Sequence, residues 1–298
     1  MTSTLFLGID GGGSRCRARL ESAEGEVLGR GFAGPASMRF GFDTVRDAIM
    51  TVTRQALDEA RLDDAALART YAGIGLAGTG HKGARQTLEA WKHPFAGAWF
   101  EGDGYLALLG AFGGGEGGVV ICGTGSIGIS FQGRTVRIGG YGFPVSDEGS
   151  GADLGLNALR HALRTLDGRA EPSAFSKDVL ARFNADPTAV ADWMENATAT
   201  DYATLAPIVV RCAEDGDAAA VRLMQEAAAH ITGLVQALYR RRAPKVALIG
   251  GLAQAVRAFM APDIAARLVE PAADAMAGGI LLAKAEVRAA EPRPAPRA

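Results

Sequence analysis

The strongest constraint on the fold is a unit of strand, glycine-rich turn and strand that occurs twice in the chain. The first copy joins an apolar segment at residues 5–10 to an alternating segment at residues 16–20, across the turn Gly-Gly-Gly-Ser at residues 11–14. The second copy spans residues 119–131 and turns at Gly-Thr-Gly-Ser, residues 123–126. We call these turns the first and the second glycine turn. Because each copy opens one half of the chain, the sequence predicts a duplicated, two-lobed α/β architecture.

Further strand and helix patterns surround the two copies. In the first half they predict a three-strand meander that feeds a helix, with a strand at 27–32, a helix at 43–60, strands at 71–76 and 98–101, and helices at 82–91 and 105–112. In the second half they predict a mostly helical stretch at 150–242, a strand at 245–249 and a helix at 274–287. Three prolines within residues 291–298 predict a disordered tail.

Composition and charge exclude several classes of function. The formal net charge is -2, so we expect no nucleic-acid partner and no membrane partner. The cysteines Cys16, Cys122 and Cys212 are far apart, which argues against a disulfide framework or a structural zinc site, and His81 and His93 lack the spacing of metal ligands. No apolar run approaches the roughly 20 residues of a membrane span, and the chain begins with a strand-like segment in place of a signal peptide. A cytoplasmic location is expected.

The first glycine turn is suited to binding phosphate. Gly11, Gly12 and Gly13 allow successive backbone N–H groups to face phosphate oxygens, and Ser14 adds a hydroxyl group. Asp10 directly precedes the turn, where its carboxylate would lie near the Mg²⁺ ion that accompanies the phosphates. The alternative is a tight hairpin with a surface aspartate.

Two further glycine clusters complete a predicted nucleotide site. Gly123, Thr124 and Gly125 of the second glycine turn would grip the phosphates from the other lobe. Gly250 and Gly251 end a strand and begin a helix, and they would allow a flat nucleoside to lie close to the backbone. For this last pair, simple packing of a strand against a helix is an equal alternative.

Six motifs carry a resemblance to a known family: GIDGGGS at 8–14, CRAR at 16–19, GLAG at 75–78, CGTGS at 122–126, FPVSDEGSG at 143–151 and DAMAGG at 274–279. In their order the chain resembles the superfamily of sugar kinases, heat-shock proteins and actin. Within it the chain is similar to the BadF/BadG/BcrA/BcrD-type branch, which includes glucosamine and N-acetylglucosamine kinases. The resemblance implies a duplicated actin-like (ribonuclease H-like) ATPase fold with a cleft between the lobes. It also implies that ATP and Mg²⁺ are used.

The resemblance assigns the two lobes to parts of the chain. Residues 1–104 would form the N-terminal lobe with the sugar-binding loops, and residues 105–273 the second lobe with nucleotide-binding turns and a helical insert. A C-terminal helix at about 274–290 is free to pack back on the first lobe. Whether the protein forms a homodimer stays open.

Two aspartates are implied to act on the sugar. Phosphoryl transfer needs positioning, charge neutralisation and an acceptor for the hydroxyl proton. The resemblance implies that Asp103 is this catalytic base and that Asp147 binds sugar hydroxyls. For each aspartate the alternative is a helix cap.

The remaining residues implied to lie near the sugar are Ser37, Ala77, Gly78 and Gly102. Two of them depart from the family pattern, which usually has Asn in place of Ser37 and often Asn or Thr in place of Gly102. Ser37 is a poorer mimic of an amide, although its hydroxyl both donates and accepts. The choice between glucosamine and N-acetylglucosamine therefore stays open, and glucosamine is slightly favoured as the amino sugar that binds here.

Two other functions compete with an amino-sugar kinase. One is an ATPase that activates a partner dehydratase, for which the resemblance implies an iron–sulfur cluster held by cysteines at a subunit interface. The dispersed cysteines argue against it, although an oxidation-sensitive Cys122 stays open. The other is a sugar-sensing binding protein without catalysis. The presence of Asp10, Asp103 and both glycine turns argues against that loss, since a mere binding protein needs no base.

Overall fold

Five strands in the first half of the chain form one mixed sheet. They are β1 (Leu5–Gly11), β2 (Cys16–Ser22), β3 (Val27–Ala33), β4 (Thr70–Leu76) and β5 (Gly97–Gly102). Their order is β3-β2-β1-β4-β5, with β1, β2 and β3 antiparallel and β4 and β5 parallel to β1. This computed structural model, which describes residues 3–290, confirms the predicted meander at the start of the chain.

The alternation along β2 decides which of its side chains enter the core. Cys16, Ala18 and Leu20 are fully buried, whereas Arg17 and Arg19 are only partly buried. Successive side chains of a strand point to opposite faces, so the apolar set lies on one face of the sheet. That face packs against α1 (Phe42–Glu59) in the core of this half.

Three more helices accompany this sheet; numbered in chain order, they are α2 (Ala84–Glu89), α3 (Asp103–Phe112) and α12 (Ala275–Ala290). Helix α12 packs directly on β1 and β4. A Cβ atom at Gly8 would lie 1.9 Å from the carbonyl oxygen of Met276, and one at Gly73 would lie 1.9 Å from that of Gly279. Glycine at these strand positions is therefore what allows the backbone of α12 to approach the sheet.

The second half contains a four-stranded sheet of the same topology. Its strands are β6 (Gly117–Cys122), β7 (Ser126–Phe131), β8 (Thr135–Gly139) and β9 (Val246–Ile249), in the order β8-β7-β6-β9. As in the first sheet, three antiparallel strands are followed by a strand parallel to the first of them. The predicted duplication is confirmed, and β8 is a strand that sequence patterns did not identify.

The stretch predicted to be mostly helical is confirmed as a set of six helices, with two short helices after β9. They are α4 (Gly151–Leu166), α5 (Ala174–Ala181), α6 (Pro187–Met194), α7 (Ala199–Ala203), α8 (Ala206–Glu214), α9 (Ala218–Arg240), α10 (Ala253–Arg257) and α11 (Pro262–Ala265). Phe175, Val209, Met224 and Ile231 are fully buried in the hydrophobic core of this half. Amphipathic helices bury such residues on one face, which fixes their packing around the second sheet.

Contacts divide the described residues into two units. The first comprises residues 3–115 and 271–290, and the second comprises residues 116–270. Helix α3 belongs to the first unit, where the N–H group of Ala272, just before α12, donates to the carbonyl oxygen of Ala111 at 2.9 Å. The division of the chain at residues 104 and 273 stays a prediction.

Two further expectations concern the surroundings of the fold. Within residues 3–290, no helix combines the length and the apolar character needed to cross a membrane. The tail predicted at residues 291–298 lies outside the described part of the chain.

Candidate active site

The carboxyl ends of β1, β4 and β5 meet at one edge of the first sheet. In the register of these parallel strands, Gly11 pairs with Leu76 and Leu76 pairs with Gly102. The first glycine turn follows β1, residues 77–78 follow β4, and Asp103 follows β5. This edge is where parallel sheets commonly bind ligands. The fold therefore brings together residues that the sequence identified separately.

Asp10 and Asp103, the two predicted site aspartates at this edge, both lie next to Gly75. Asp10 pairs with Gly75 in the register of β1 and β4. A Cβ atom at Gly75 would lie 3.2 Å from the Cα atom of Asp103. The backbones of the predicted metal-linked carboxylate and of the predicted base are thus both neighbours of one glycine.

The first glycine turn is held by its own backbone. The N–H group of Gly12 donates to the carbonyl oxygen of Arg15 at 2.9 Å, and the carbonyl oxygen of Gly12 accepts from the N–H group of Ala36 at 3.0 Å. A Cβ atom at Gly11 would lie 2.7 Å from a leucine side chain of β4, whereas one at Gly13 would meet no atom within 4 Å. The open side of the turn, which can admit a phosphate oxygen, is therefore at Gly13.

Asp10 pairs with a cation on the neighbouring strand. Its Oδ2 atom accepts a hydrogen bond from Nη2 of Arg17 at 2.5 Å, and the two residues face each other in the register of β1 and β2. The Nε atom of Arg17 is buried without a hydrogen-bond partner. Ser14, which the sequence predicts as part of the phosphate site, is exposed in the turn between these strands. The pair fixes the position of the Asp10 carboxylate.

The donor set around Asp10 fits Mg²⁺ of the kind that accompanies ATP. Among residues 3–290, no group of three or more His, Cys, Asp or Glu side chains is placed to hold a metal ion. A dedicated protein cage is thus absent from this part of the chain. Mg²⁺ in phosphate-transfer sites keeps several waters and takes one or two carboxylates together with substrate phosphates. One carboxylate beside a phosphate turn satisfies that requirement.

Ser37, Ala77 and Gly78 lie together beside the first glycine turn. Ser37 and Ala77 form a parallel bridge, and the N–H group of Ala77 donates to the carbonyl oxygen of Gly11 at 2.8 Å. A Cβ atom at Gly78 would lie 3.3 Å from Oγ of Ser37 and 3.1 Å from Cδ2 of His81. The imidazole of His81, a residue that sequence patterns did not select, therefore lies at this cluster. A turn after β4 places it there, in which the N–H group of His81 donates to the carbonyl oxygen of Gly78 at 3.1 Å.

Asp103 is the first residue of α3, and the N-cap position belongs to Gly102. The Oδ1 atom of Asp103 accepts a hydrogen bond from the N–H group of Gly104 at 2.9 Å. A negative charge in the first turn of a helix is stabilised by the exposed N–H groups there. Asp103 therefore sits at a strand end and a helix start at once, with its carboxylate oriented by the backbone.

In the second unit, helix α4 supports the second glycine turn. The carbonyl oxygen of Gly123 accepts from the N–H group of Gly151 at 2.8 Å, and that of Thr124 accepts from Ala152 at 3.1 Å. The carbonyl oxygen of Gly125 accepts from the N–H group of Gly123 at 2.9 Å. These bonds hold the turn in one conformation at the start of α4.

Asp147 lies against this turn. A Cβ atom at Gly125 would be only 2.8 Å from Oδ2 of Asp147. Burial raises the pKa of Asp147, and hydrogen bonds from the N–H groups of Gly142 and Phe143 partly offset that rise. The N-cap of α4 is Ser150, so Asp147 is not the capping residue. Asp147 belongs to the second unit, whereas the other residues predicted to contact sugar belong to the first.

Gly250 and Gly251 follow β9, next to the end of β6. Gly250 has φ +112°, and a Cβ atom there would lie 2.2 Å from the carbonyl oxygen of Cys122. A Cβ atom at Gly251 would meet no atom within 4 Å. Gly250 is thus required by packing and backbone conformation, while Gly251 leaves an open backbone surface beside the second glycine turn.

Cys122 is a buried structural thiol at the end of β6. Its Sγ atom donates to the carbonyl oxygen of Gly149 at 3.4 Å. Burial raises the pKa of Cys122 to about 12. The thiolate is the reactive form of cysteine, so this residue has little of the reactivity expected of a redox sensor.

Comparison with known proteins agrees with these features. The sequence profile of the BadF/BadG/BcrA/BcrD ATPase family matches residues 7–283. A glucosamine kinase from Vibrio cholerae is 33% identical over 279 residues, which cover 93% of this chain and 95% of the relative. An N-acetylmuramic acid/N-acetylglucosamine kinase from Clostridium acetobutylicum is 28% identical and covers 78% of each chain.

Solved structures show the same fold. A candidate N-acetylglucosamine kinase from Chromobacterium violaceum is similar with a TM-score of 0.88 and 34% identity, covering 94% of this chain and 98% of the other. A ROK family glucokinase from Streptomyces griseus, solved with glucose and AMPPNP, has a TM-score of 0.54 at 17% identity over 94% of this chain and 98% of its own, a likeness of fold alone. The chain has the duplicated actin-like fold of these ATPases and sugar kinases, and it belongs to the BadF/BadG/BcrA/BcrD ATPase family.

Proposed function

We propose that this protein transfers the γ-phosphoryl group of ATP to the 6-hydroxyl group of glucosamine or N-acetylglucosamine. One observation carries the proposal: Asp10, the first glycine turn and Asp103 lie at the same edge of the first sheet. A backbone turn for phosphate and a carboxylate for a hydroxyl proton are the parts that a small-molecule kinase needs. The names of the Vibrio cholerae and Clostridium acetobutylicum relatives support an amino sugar as the acceptor.

In the proposed reaction Asp103 is the general base. Its carboxylate accepts the proton of the sugar hydroxyl while that oxygen forms a bond to the γ-phosphorus. The bond between the γ-phosphorus and the bridging oxygen breaks, and ADP leaves with the electron pair. The hydrogen bond from Gly104 already orients the carboxylate of Asp103, so this side chain loses little conformational freedom when the substrate binds.

The glycine turns and Asp10 are proposed to hold ATP. Gly13, Gly125 and Gly251 would present backbone to the nucleotide, and Asp10 would hold Mg²⁺ through water. When bound, the ion neutralises charge on the phosphates during transfer. Arg17, which the sequence analysis did not select, would keep the Asp10 carboxylate oriented toward that ion.

Selection of the sugar is proposed for Ser37, Ala77, Gly78 and Gly102, and binding of sugar hydroxyl groups is proposed separately for Asp147. Ser37 is 2% exposed, and its Oγ atom accepts from the N–H group of Arg39 at 3.4 Å. Serine supplies a hydroxyl group at this position but no amide N–H donor. We therefore retain the slight preference for glucosamine, whose amine requires no amide donor at this point.

The cysteines offer no support for a dehydratase activator. Cys16, Cys122 and Cys212 are all buried, and burial raises the pKa of both Cys16 and Cys122 to about 12. Cluster ligands must be thiolates that can reach a shared iron–sulfur group. Buried thiols of this kind are poor candidates for that role.

The test is ADP release, measured with a coupled assay on glucosamine, N-acetylglucosamine and glucose. We expect both amino sugars to exceed glucose in kcat/KM and the phosphate to be found by NMR on the 6-oxygen. The Ser37→Asn variant should shift the ratio of the two amino sugars toward the acetylated form. Preference for glucose or a product phosphorylated at C1 would overturn the substrate assignment, and release of ADP without any dependence on sugar would overturn the kinase itself.

A further inference from the structure

A cavity of about 250 Å³ lies between α4 and α9 in the second unit. Its polar lining comes from Asn157, Arg160, His161 and Arg164 of α4 and from Arg222 and Glu226 of α9. None of these residues belongs to a glycine turn or to the predicted sugar loops. The proposed kinase reaction therefore leaves the cavity without a role.

Positive charge dominates the cavity. It is lined by the three guanidinium groups of Arg160, Arg164 and Arg222 and by one carboxylate, Glu226. Within residues 3–290 none of these three arginines forms an ion pair. By contrast, Arg169 of the same unit pairs with an aspartate at 2.6 Å. Like charges gathered around a concavity without carboxylate partners favour an anion there.

His161, which also lines the cavity, carries an unsatisfied polar atom. Its Nε2 atom is buried and has no hydrogen-bond partner, while its ring stacks on Phe175 with centroids 5.7 Å apart. Burial lowers the pKa of His161, and the charges of Arg222 and Arg164 lower it further, against an opposing effect of Asp217. A buried polar atom without a partner costs free energy, which a ligand atom could recover.

We propose that this cavity binds a small phosphomonoester or inorganic phosphate, at a site separate from the glycine turns. The planar guanidinium group presents N–H donors in a fork that matches phosphate oxygens. The cavity is smaller than the about 300–1,000 Å³ of pockets for drug-sized molecules, which favours a phosphate or a sugar phosphate over a nucleotide. The carboxylate of Glu226 would repel a bound phosphate, but the three positive charges of the arginines outweigh this single negative charge.

A chain of hydrogen bonds connects the cavity to the loop that carries Asp147. Nη1 of Arg160 donates to Oδ1 of Asn157 at 3.2 Å, and Nδ2 of Asn157 donates to Oδ1 of Asp153 at 3.0 Å. The other carboxylate oxygen of Asp153 accepts from the N–H group of Gly149 at 2.8 Å. A ligand that draws Arg160 toward itself changes the first bond of this chain. Occupancy is therefore expected to alter KM for the sugar, an effect that rests on the proposed function.

The binding test uses the imidazole NMR signals of the four histidines. Inorganic phosphate and glucosamine 6-phosphate are titrated separately, with chloride at matched ionic strength as the reference. The parent is compared with the Arg164→Gln/Arg222→Gln double variant and with Arg169→Gln, an exposed arginine outside the cavity. We expect a saturable shift of the His161 signal in the parent and in Arg169→Gln, and an affinity at least about tenfold weaker in the double variant.

Tighter binding of glucosamine 6-phosphate would identify a sugar-phosphate site, and equal affinities would identify a site for phosphate itself. An equal shift with chloride, or an unchanged affinity in the double variant, would overturn the site. A second measurement follows KM for the sugar with and without phosphate, where we expect a change of about fivefold or more in the parent and none in the double variant. An unchanged KM in the parent would overturn the connection to the Asp147 loop. The NMR measurement needs no kinase activity, so it stands even if the proposed function fails.

Discussion

Replacement of Gly125 by alanine tests whether the Asp147 carboxylate packs against the second glycine turn. The new Cβ atom would lie 2.8 Å from Oδ2 and 3.3 Å from Cγ of Asp147, so the carboxyl group must move. The carboxyl group would leave the position at which the N–H groups of Gly142 and Phe143 lower its pKa, and a lost hydrogen bond typically costs about 0.5–1.5 kcal/mol. The same movement exposes the carboxylate of Asp147 to water. This lowers the free-energy cost of burying its charged form, the cost that raises its pKa, and so offsets part of the loss. We therefore expect a loss of about 1–2 kcal/mol in the free energy of unfolding.

Equilibrium unfolding in urea measures this loss, and the chain offers a matched control. A Cβ atom at Gly123, in the same turn, would meet no atom within 4 Å, so Gly123→Ala should cost no more than about 0.5 kcal/mol. In an Asp147→Ala background the cost of Gly125→Ala should disappear, because the group that it displaces is absent. Equal costs at the two glycines, or a cost that persists without the Asp147 carboxylate, would refute the reasoning.

Three other outcomes follow from the packing and the buried groups. Gly73→Ala should destabilise the protein by about 3 kcal/mol or more, because its Cβ would lie 1.9 Å from the carbonyl oxygen of Gly279; a urea midpoint equal to that of the parent would contradict this. The native thiols should resist a thiol-specific chromogenic reagent at neutral pH, since burial raises the pKa of Cys122 to about 12, and rapid native labelling at Cys122 would argue against that burial. Folding raises the pKa of Asp147 above its ordinary value of 3.8, so this residue makes the parent less stable as the pH rises from 3.8 through the raised pKa. Asp147→Asn should remove this loss of stability. Identical pH profiles of the two proteins in urea unfolding would show that Asp147 is not the cause.

Local patterns were sufficient to predict most strands and both glycine turns. Alternation along β2 and the glycines after β1 and β6 are properties of short segments, which sequence displays directly. The strand β8 was missed because it is a short edge strand with exposed residues at Thr135 and Arg137 and no fully buried residue, so it is defined mainly by its pairing with β7. Helix α3 begins at Asp103, earlier than predicted, because Gly102 ends β5 and serves as the N-cap without an intervening loop.

Features that depend on tertiary packing could not be predicted from the sequence. His81 and Ser37 are both neighbours of Gly78 only because the turn after β4 folds back beside the bridge between Ser37 and Ala77. The cavity between α4 and α9 joins segments that are distant in the chain, and Ala-rich helices give no local sign of it. The roles of the predicted site residues stay proposals that kinetics can decide.

Asp103→Asn tests the central claim most directly, with Glu101→Gln as its control. Glu101 lies on β5, two residues before Asp103, and pairs at 2.9 Å with Arg85, whose side chain is 60% exposed, so that variant should keep near-parent turnover. With glucosamine as acceptor, Asp103→Asn should lower kcat about 10²- to 10⁴-fold while nucleotide binding, measured by calorimetry, stays unchanged. A kcat for Asp103→Asn within a few-fold of the parent would contradict the assignment of Asp103 as the base that accepts the sugar hydroxyl proton.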